Sequence, residues 1–226
     1  MSFANVGKVW DAAGFAAYLE TLPPLDWARS VTVHHTAYPD LSMRPKGWTI
    51  QHMRNLEDYY GRKKRWSAGP HLFTDEDQIF GLSPLTARGV HARSFNADSI
   101  GLEALGNYDQ ESPHEGRGRE VWYTTAAAVA LLLAKLGLEP NPETVKFHRD
   151  DPRTTKRCPG RKVEKEWFLN MVRSARTALK HGQAQDDRAG EDDLAGAPGD
   201  GPERAEILGR LETIEREAAA IRKALG

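Results

Sequence analysis

The chain has 226 residues, 39% apolar and 28% charged, and its 31 Lys plus Arg against 32 Asp plus Glu give a formal net charge of −1. That length supports one sizeable core but not two ordinary domains of about 150 residues each, and the near-zero charge points to neither nucleic acid nor a membrane surface as partner. No run of about 18 apolar residues spans a bilayer; residues 1–8 lack an apolar segment behind a basic head, so synthesis in the cytoplasm without a signal peptide is expected; and one cysteine, Cys158, excludes an internal disulfide.

In chain order, the pattern predicts a helix over residues 11–20, a strand over 30–36 and a helix over 49–60. Two short strands, 71–74 and 78–81, pair across Asp75, Glu76 and Asp77, and a further strand covers 99–106. A helix over 124–136 has Thr124 or Thr125 as N-cap and stops at Gly137. A strand over 144–147 and a helix over 163–179 follow. The fold class is mixed α/β, a central sheet flanked by helices.

Past residue 181 the composition changes. Residues 1–181 carry a net charge of +4, whereas residues 182–206 carry −6. The stretch 182–202 is rich in Gly, Ala and Asp and has no large apolar cluster to offset the entropy of ordering, so it reads as a flexible acidic linker. Residues 203–226 read as an amphipathic helix, with Ile207, Leu211, Ile214, Ala218, Ile221 and Leu225 spaced as a heptad seam. Under three heptads is short for a self-sufficient coiled coil, so homo-oligomerisation, a partner contact and docking on its own domain all stay open. The expected organisation is a folded domain over 1–181, the linker and the terminal helix.

Three places have residues suited to chemistry. In the strand ending Val33-His34-His35-Thr36, side chains alternate between faces, so Val31, Val33 and His35 share one and Thr32, His34 and Thr36 the other. His34, on the polar face, is the better ligand candidate, although a strand histidine taken alone is more often structural. Downstream, His148 ends an apolar strand and a polar loop leads to Cys158. With His34 these residues would give two histidines and a cysteine plus an open position, the donor set of a catalytic zinc. An inert cysteine and a solvated histidine are the bland alternative. Third, Glu103 interrupts an apolar strand, where a charge is costly unless it pairs or meets water in a site.

Four motifs occur in order: Val33-His34-His35-Thr36-Ala37; Gly89-Val90-His91-Ala92; Asn96-Ala97-Asp98-Ser99-Ile100-Gly101-Leu102-Glu103; and His148 followed by Lys156-Arg157-Cys158-Pro159-Gly160. Together they resemble the type 2 N-acetylmuramoyl-L-alanine amidase family, which includes bacteriophage endolysins, bacterial cytosolic anhydromuropeptide amidases and peptidoglycan recognition proteins. The resemblance runs from about residue 27 to about residue 180. It implies the peptidoglycan recognition protein/amidase-like fold, a Zn2+ held by His34, His148 and Cys158, and hydrolysis of the amide between N-acetylmuramic acid and L-alanine of peptidoglycan.

Lys156 matches the family's active-site lysine and suits support of an oxyanion. Where many phage and recognition-protein members place a tyrosine, this chain has Pro70. The cytosolic amidases lack that tyrosine too and use a glutamate in a Ser-Ile-Gly-Ile-Glu strand, which makes Glu103 the general base by resemblance. Its strand setting should raise its pKa while a zinc charge pulls the other way. His91 and Asn96 are expected substrate contacts, with a turn-forming role open for Asn96. His35 and His71 read as structural, and Trp66 as either a groove wall or packing. Missing signal and disulfides fit an endolysin of phage or prophage origin that acts on the cell wall after release. A cytosolic anhydromuropeptide-recycling amidase and a non-catalytic peptidoglycan-binding module are the alternatives.

Overall fold

The structure, a computed structural model, describes residues 3–188. Its sheet forms from β1 (Val9–Trp10), β2 (Ser30–His35), β3 (Leu72–Thr74), β4 (Ile79–Gly81), β5 (Ser99–Ala104) and β6 (Val145–Phe147), in the spatial order β1-β4-β3-β5-β2-β6. The three central pairings, β3 with β5, β5 with β2 and β2 with β6, are parallel. The outer hairpin of β3 and β4, and the β1 edge, are antiparallel. The mixed α/β class read from the sequence is the observed one; β1, two residues long, was too short to leave a periodic signal.

Register fixes which residues share a face. Val31 pairs with Ile100 and Val145, Val33 with Leu102 and Phe147, and Leu102 in turn with Leu72. These seven apolar side chains are fully buried, on the face packed by α3 (Gly116–Leu136) and, behind it, α4 (Lys165–Arg188). Phe147 meets Phe168 of α4, and Trp122 of α3 meets both Phe168 and Tyr108. Each such buried aromatic or branched side chain contributes about 1.5–3 kcal/mol by leaving water. The other face holds Thr32, His34, Ser99, Gly101 and Glu103, because Thr32 lies opposite Gly101 and His34 opposite Glu103.

The helices begin and end for local reasons. Asp11 caps α1 (Ala12–Glu20) by accepting the Gly14 N–H, and Thr49 caps α2 (Ile50–Asp58) by accepting the His52 N–H. α2 then continues as a π-helical turn over Tyr59–Lys63. Gly137 adopts φ 66°, and the Leu138 N–H reaches back to the Leu133 carbonyl, which ends α3 where the sequence predicted.

Two helix expectations need correction. α3 starts at Gly116, not near residue 124, and neither Thr124 nor Thr125 is its N-cap. Both threonines tie the helix to the β3–β4 hairpin instead: Thr124 donates to the Glu76 carbonyl, and Thr125 donates to Val121 while sharing a hydrogen bond with Thr74. Gly118 serves close packing, since a Cβ there would lie 2.0 Å from the Ser112 carbonyl oxygen, whereas Gly116 has open space around it and a φ of +50°. α4 also runs past residue 179 to Arg188, into the first part of the stretch read as linker. Lack of apolar residues there bears on burial, whereas Ala, Gln and Lys favour helix by propensity. The rest of that stretch and the predicted helix 203–226 lie outside the described residues. Among the described residues no helix is long and apolar enough to cross a membrane.

Candidate metal centre and active site

The site forms at the C-terminal ends of the parallel strands β2, β5 and β6, from which loops depart. β2 supplies His34 from its polar face, as strand parity predicts. β6 ends at Phe147 and turns at once into a 3₁₀ turn beginning with His148. The chain then loops outward and returns at Cys158, where the Arg149 N–H donates to the Cys158 carbonyl. The Arg149 guanidinium donates to the Gly160 and Val163 carbonyls and closes the base of this loop. Asp151 ties it to the neighbouring loop by accepting the Ser94 N–H.

These constraints bring His34, His148 and Cys158 together. His34 Nδ1 lies 3.0 Å from His148 Nδ1 and 3.7 Å from Cys158 Sγ, and the three donor atoms all lie within 4.8 Å of one another. Around a tetrahedral zinc, bond lengths of about 2.05 Å to nitrogen and about 2.3 Å to sulfur separate ligand atoms by about 3.3 Å (N to N) and about 3.6 Å (N to S). The cluster fits such an ion in donor chemistry and in spacing. The His35 main-chain N–H donates to Cys158 Sγ at 3.3 Å and aims the sulfur.

Burial governs the protonation of this cluster. It holds His34 and His148 below the ordinary histidine range, helped at His34 by the other imidazoles and at both by Lys156. Both nitrogens facing the centre are therefore neutral donors. Burial, and then the charge of Glu103, pushes the Cys158 thiol up, so an adjacent cation is what would make it a thiolate.

Glu103 follows from β5 pairing in register with β2: its Oε1 lies 3.8 Å from His34 Nδ1. Burial raises its carboxyl to about 8, with Lys156 opposing. Lys156 is exposed on the returning loop, and its charge acts on Glu103, His34, His148 and Cys158. The chemistry-bearing residues expected from sequence thus converge on one place.

His91 sits behind the ligand cluster, and Asn96 takes the turn-forming role left open for it. His91 lies behind His34, with Nδ1 3.1 Å from His34 Nε2 and Nε2 2.9 Å from the Ser99 carbonyl oxygen. Both ring nitrogens thus make hydrogen bonds within the protein. The Asn96 side-chain oxygen accepts the N–H groups of His91 and Ala92, each at 2.9 Å, and so shapes the turn. His71 is structural: Nδ1 accepts the Gly101 N–H, Nε2 contacts the Ala87 carbonyl, and the ring stacks on Trp27.

Sequence reasoning passed over Tyr60. Its ring stacks on Trp66 at 5.5 Å and packs where a Cβ on Gly69 would come within 2.9 Å of it. Burial and the nearby charge of Glu103 push its phenol up. Tyr60 lies in the π-helical turn, and no local motif around it marks the residue in the sequence.

A family model described as N-acetylmuramoyl-L-alanine amidase matches residues 24–161. Among solved structures, the chain resembles the endolysin N-acetylmuramoyl-L-alanine amidase LysCS from Clostridium intestinale URNW, at 22% identity and a TM-score of 0.50, covering 65% of this chain and 84% of that one. N-acetylmuramoyl-L-alanine amidase LysC from the same organism gives 22% identity, a TM-score of 0.50, and coverage of 65% and 85%. Drosophila PGRP-LB gives 20% identity, a TM-score of 0.48, and coverage of 62% and 78%. At these identities the likeness to the clostridial proteins is one of fold. No curated protein sequence matches.

Proposed function

The chain belongs to the N-acetylmuramoyl-L-alanine amidase family, and from that premise we propose that it is a zinc-dependent peptidoglycan amidase that cleaves the bond between N-acetylmuramic acid and L-alanine, acting as a phage or prophage endolysin. The observation that carries the zinc reading is the His34, His148 and Cys158 cluster, with its 3.0 and 3.7 Å spacings. When bound there, zinc lowers the pKa of a coordinated water and polarises a carbonyl.

The protein's own groups do the rest. Glu103, beside His34, takes the proton of the attacking water and later delivers it to the leaving amine of L-alanine; a carboxyl raised by burial suits both halves of that exchange. Lys156 supplies positive charge for the oxyanion that develops as the amide carbonyl is attacked. His91 and Asn96 act from behind the site rather than on the substrate. The division into a catalytic domain of residues 1–181, a linker over 182–202 and a helix over 203–226 belongs to the same proposal. Removing residues 189–226 tests it: activity on a soluble muropeptide should persist.

A second reading, a cytosolic anhydromuropeptide-recycling amidase, is favoured by Glu103 in a Ser-Ile-Gly-Leu-Glu strand together with Pro70. Purified protein should contain about one zinc per chain, removable by chelator with loss of hydrolysis. Activity on intact sacculi supports the endolysin. Appreciable activity on soluble anhydromuropeptides alone overturns it in favour of recycling, and binding without hydrolysis overturns both.

A further inference from the structure

His34 can offer Nδ1 to a metal only if that nitrogen has no proton, and the ligand cluster alone does not fix where the proton sits. The arrangement behind the ring does. The Ser99 main-chain oxygen can only accept, so His91 Nε2, 2.9 Å away, is the N–H donor. A neutral imidazole has one N–H, which leaves His91 Nδ1 as an acceptor. His34 Nε2, at 3.1 Å from it, must then donate.

We propose that His91 is a positioning residue that holds His34 in its Nε2–H tautomer and so keeps Nδ1 bare toward His148 and Cys158. The proposal rests on the zinc-centre reading above and adds to it the residue that prepares the ligand. The pose of His91 is built rather than incidental. A Cβ at Gly101 would lie 2.4 Å from His91 Cγ, so only glycine at that position of β5 lets the ring lie against the strand. Asn96 fixes the main chain of His91 by accepting its N–H. The His34 and His91 rings meet edge-on, 5.2 Å between centroids, which directs one ring's nitrogen at the other's. One strand, β5, thus provides the terminal acceptor (Ser99), the space (Gly101) and the proposed base (Glu103), all on the face of His34. Partners of this kind orient a ligand ring and raise its basicity, and their loss costs about 10–100-fold in metal affinity.

The test compares wild type, His91→Leu and His91→Asn in full-length protein. Long-range 1H–15N spectra of the metal-free wild type should show both His34 and His91 as Nε2–H tautomers; a His34 Nδ1–H tautomer overturns the proposal without any variant. By chelator competition, His91→Leu should bind zinc about 10–100-fold more weakly, with a metal-free melting temperature close to wild type. His91→Asn, whose side-chain oxygen can accept from His34 Nε2, should recover most of that affinity. Equal zinc affinity in wild type and His91→Leu, or equal losses in both variants, sinks the proposal and leaves the zinc centre standing. A wild type that does not bind zinc overturns the zinc centre and this inference together.

Discussion

His34 and His35 are consecutive residues of β2, 2% and 8% exposed, and their surroundings differ completely. His34 points to the face where His148, Cys158 and Glu103 gather around its Nδ1. His35 points to the face packed by α3, where its Nδ1 accepts the Tyr108 N–H at 3.1 Å and its ring lies near Tyr108. The same contrast recurs next door on β5, where Leu102 belongs to the core and Glu103 to the site. Burial alone therefore says little about function in this sheet. What separates the two regions is whether a buried polar atom is already satisfied by the main chain or is left facing other ligands.

If that division is right, substitutions on the site face should remove chemistry and spare the fold. The largest effect is expected for Cys158→Ser, which exchanges a thiolate for a much poorer zinc ligand. Zinc content by metal analysis should drop from about one per chain to near zero, with hydrolysis abolished and the metal-free melting temperature little changed. Full activity would make Cys158 a packing residue and merge the two faces. Next is Glu103→Gln, which should retain zinc and lower turnover on a muropeptide by about 10²–10⁴-fold. An unchanged rate would move the base elsewhere.

The site was more legible in the sequence than the helix boundaries around it. Alternation along β2 separated His34 from His35 before any contact was known, because side-chain direction on a strand depends only on parity. The four ordered motifs then brought in His148, Cys158, Glu103 and Lys156. The place of His91 stayed hidden, because its partners are a main-chain oxygen and a neighbouring ring, and neither leaves a pattern in residue types. The start of α3 was misread for a related reason. Gly116 and Gly118 look like helix breakers locally, while the contact that favours Gly118, against Ser112, is visible only after folding. Tertiary packing overrode propensity there.

Leu102→Ala is the mirror of Glu103→Gln. Leu102 is fully buried on the core face, so its truncation should cost about 2–5 kcal/mol of stability, read from urea midpoints. Turnover per folded molecule should stay close to wild type. A variant that keeps its stability but loses turnover would mean that the two faces are not energetically separate.

The smallest effect concerns His35 itself. Burial lowers it from 6.5 to about 4, with Asp109 opposing, and protonation would set an N–H against the Tyr108 N–H that Nδ1 now accepts. A histidine with a depressed folded pKa contributes stability that is fully present above its unfolded value and is lost as pH falls through the folded one. The window is therefore 6.5 down to about 4. Glu103, raised by burial to about 8, works in the opposite sense, since its carboxyl favours the folded state as pH falls. A raw stability profile mixes the two. The difference between metal-free wild type and His35→Asn removes Glu103 from the comparison, because asparagine keeps an acceptor for Tyr108 and does not titrate. That difference should shift against wild type by up to about 3 kcal/mol across the window. A flat difference would mean that His35 is not held neutral by the core, and the contrast with His34 would then rest on geometry alone.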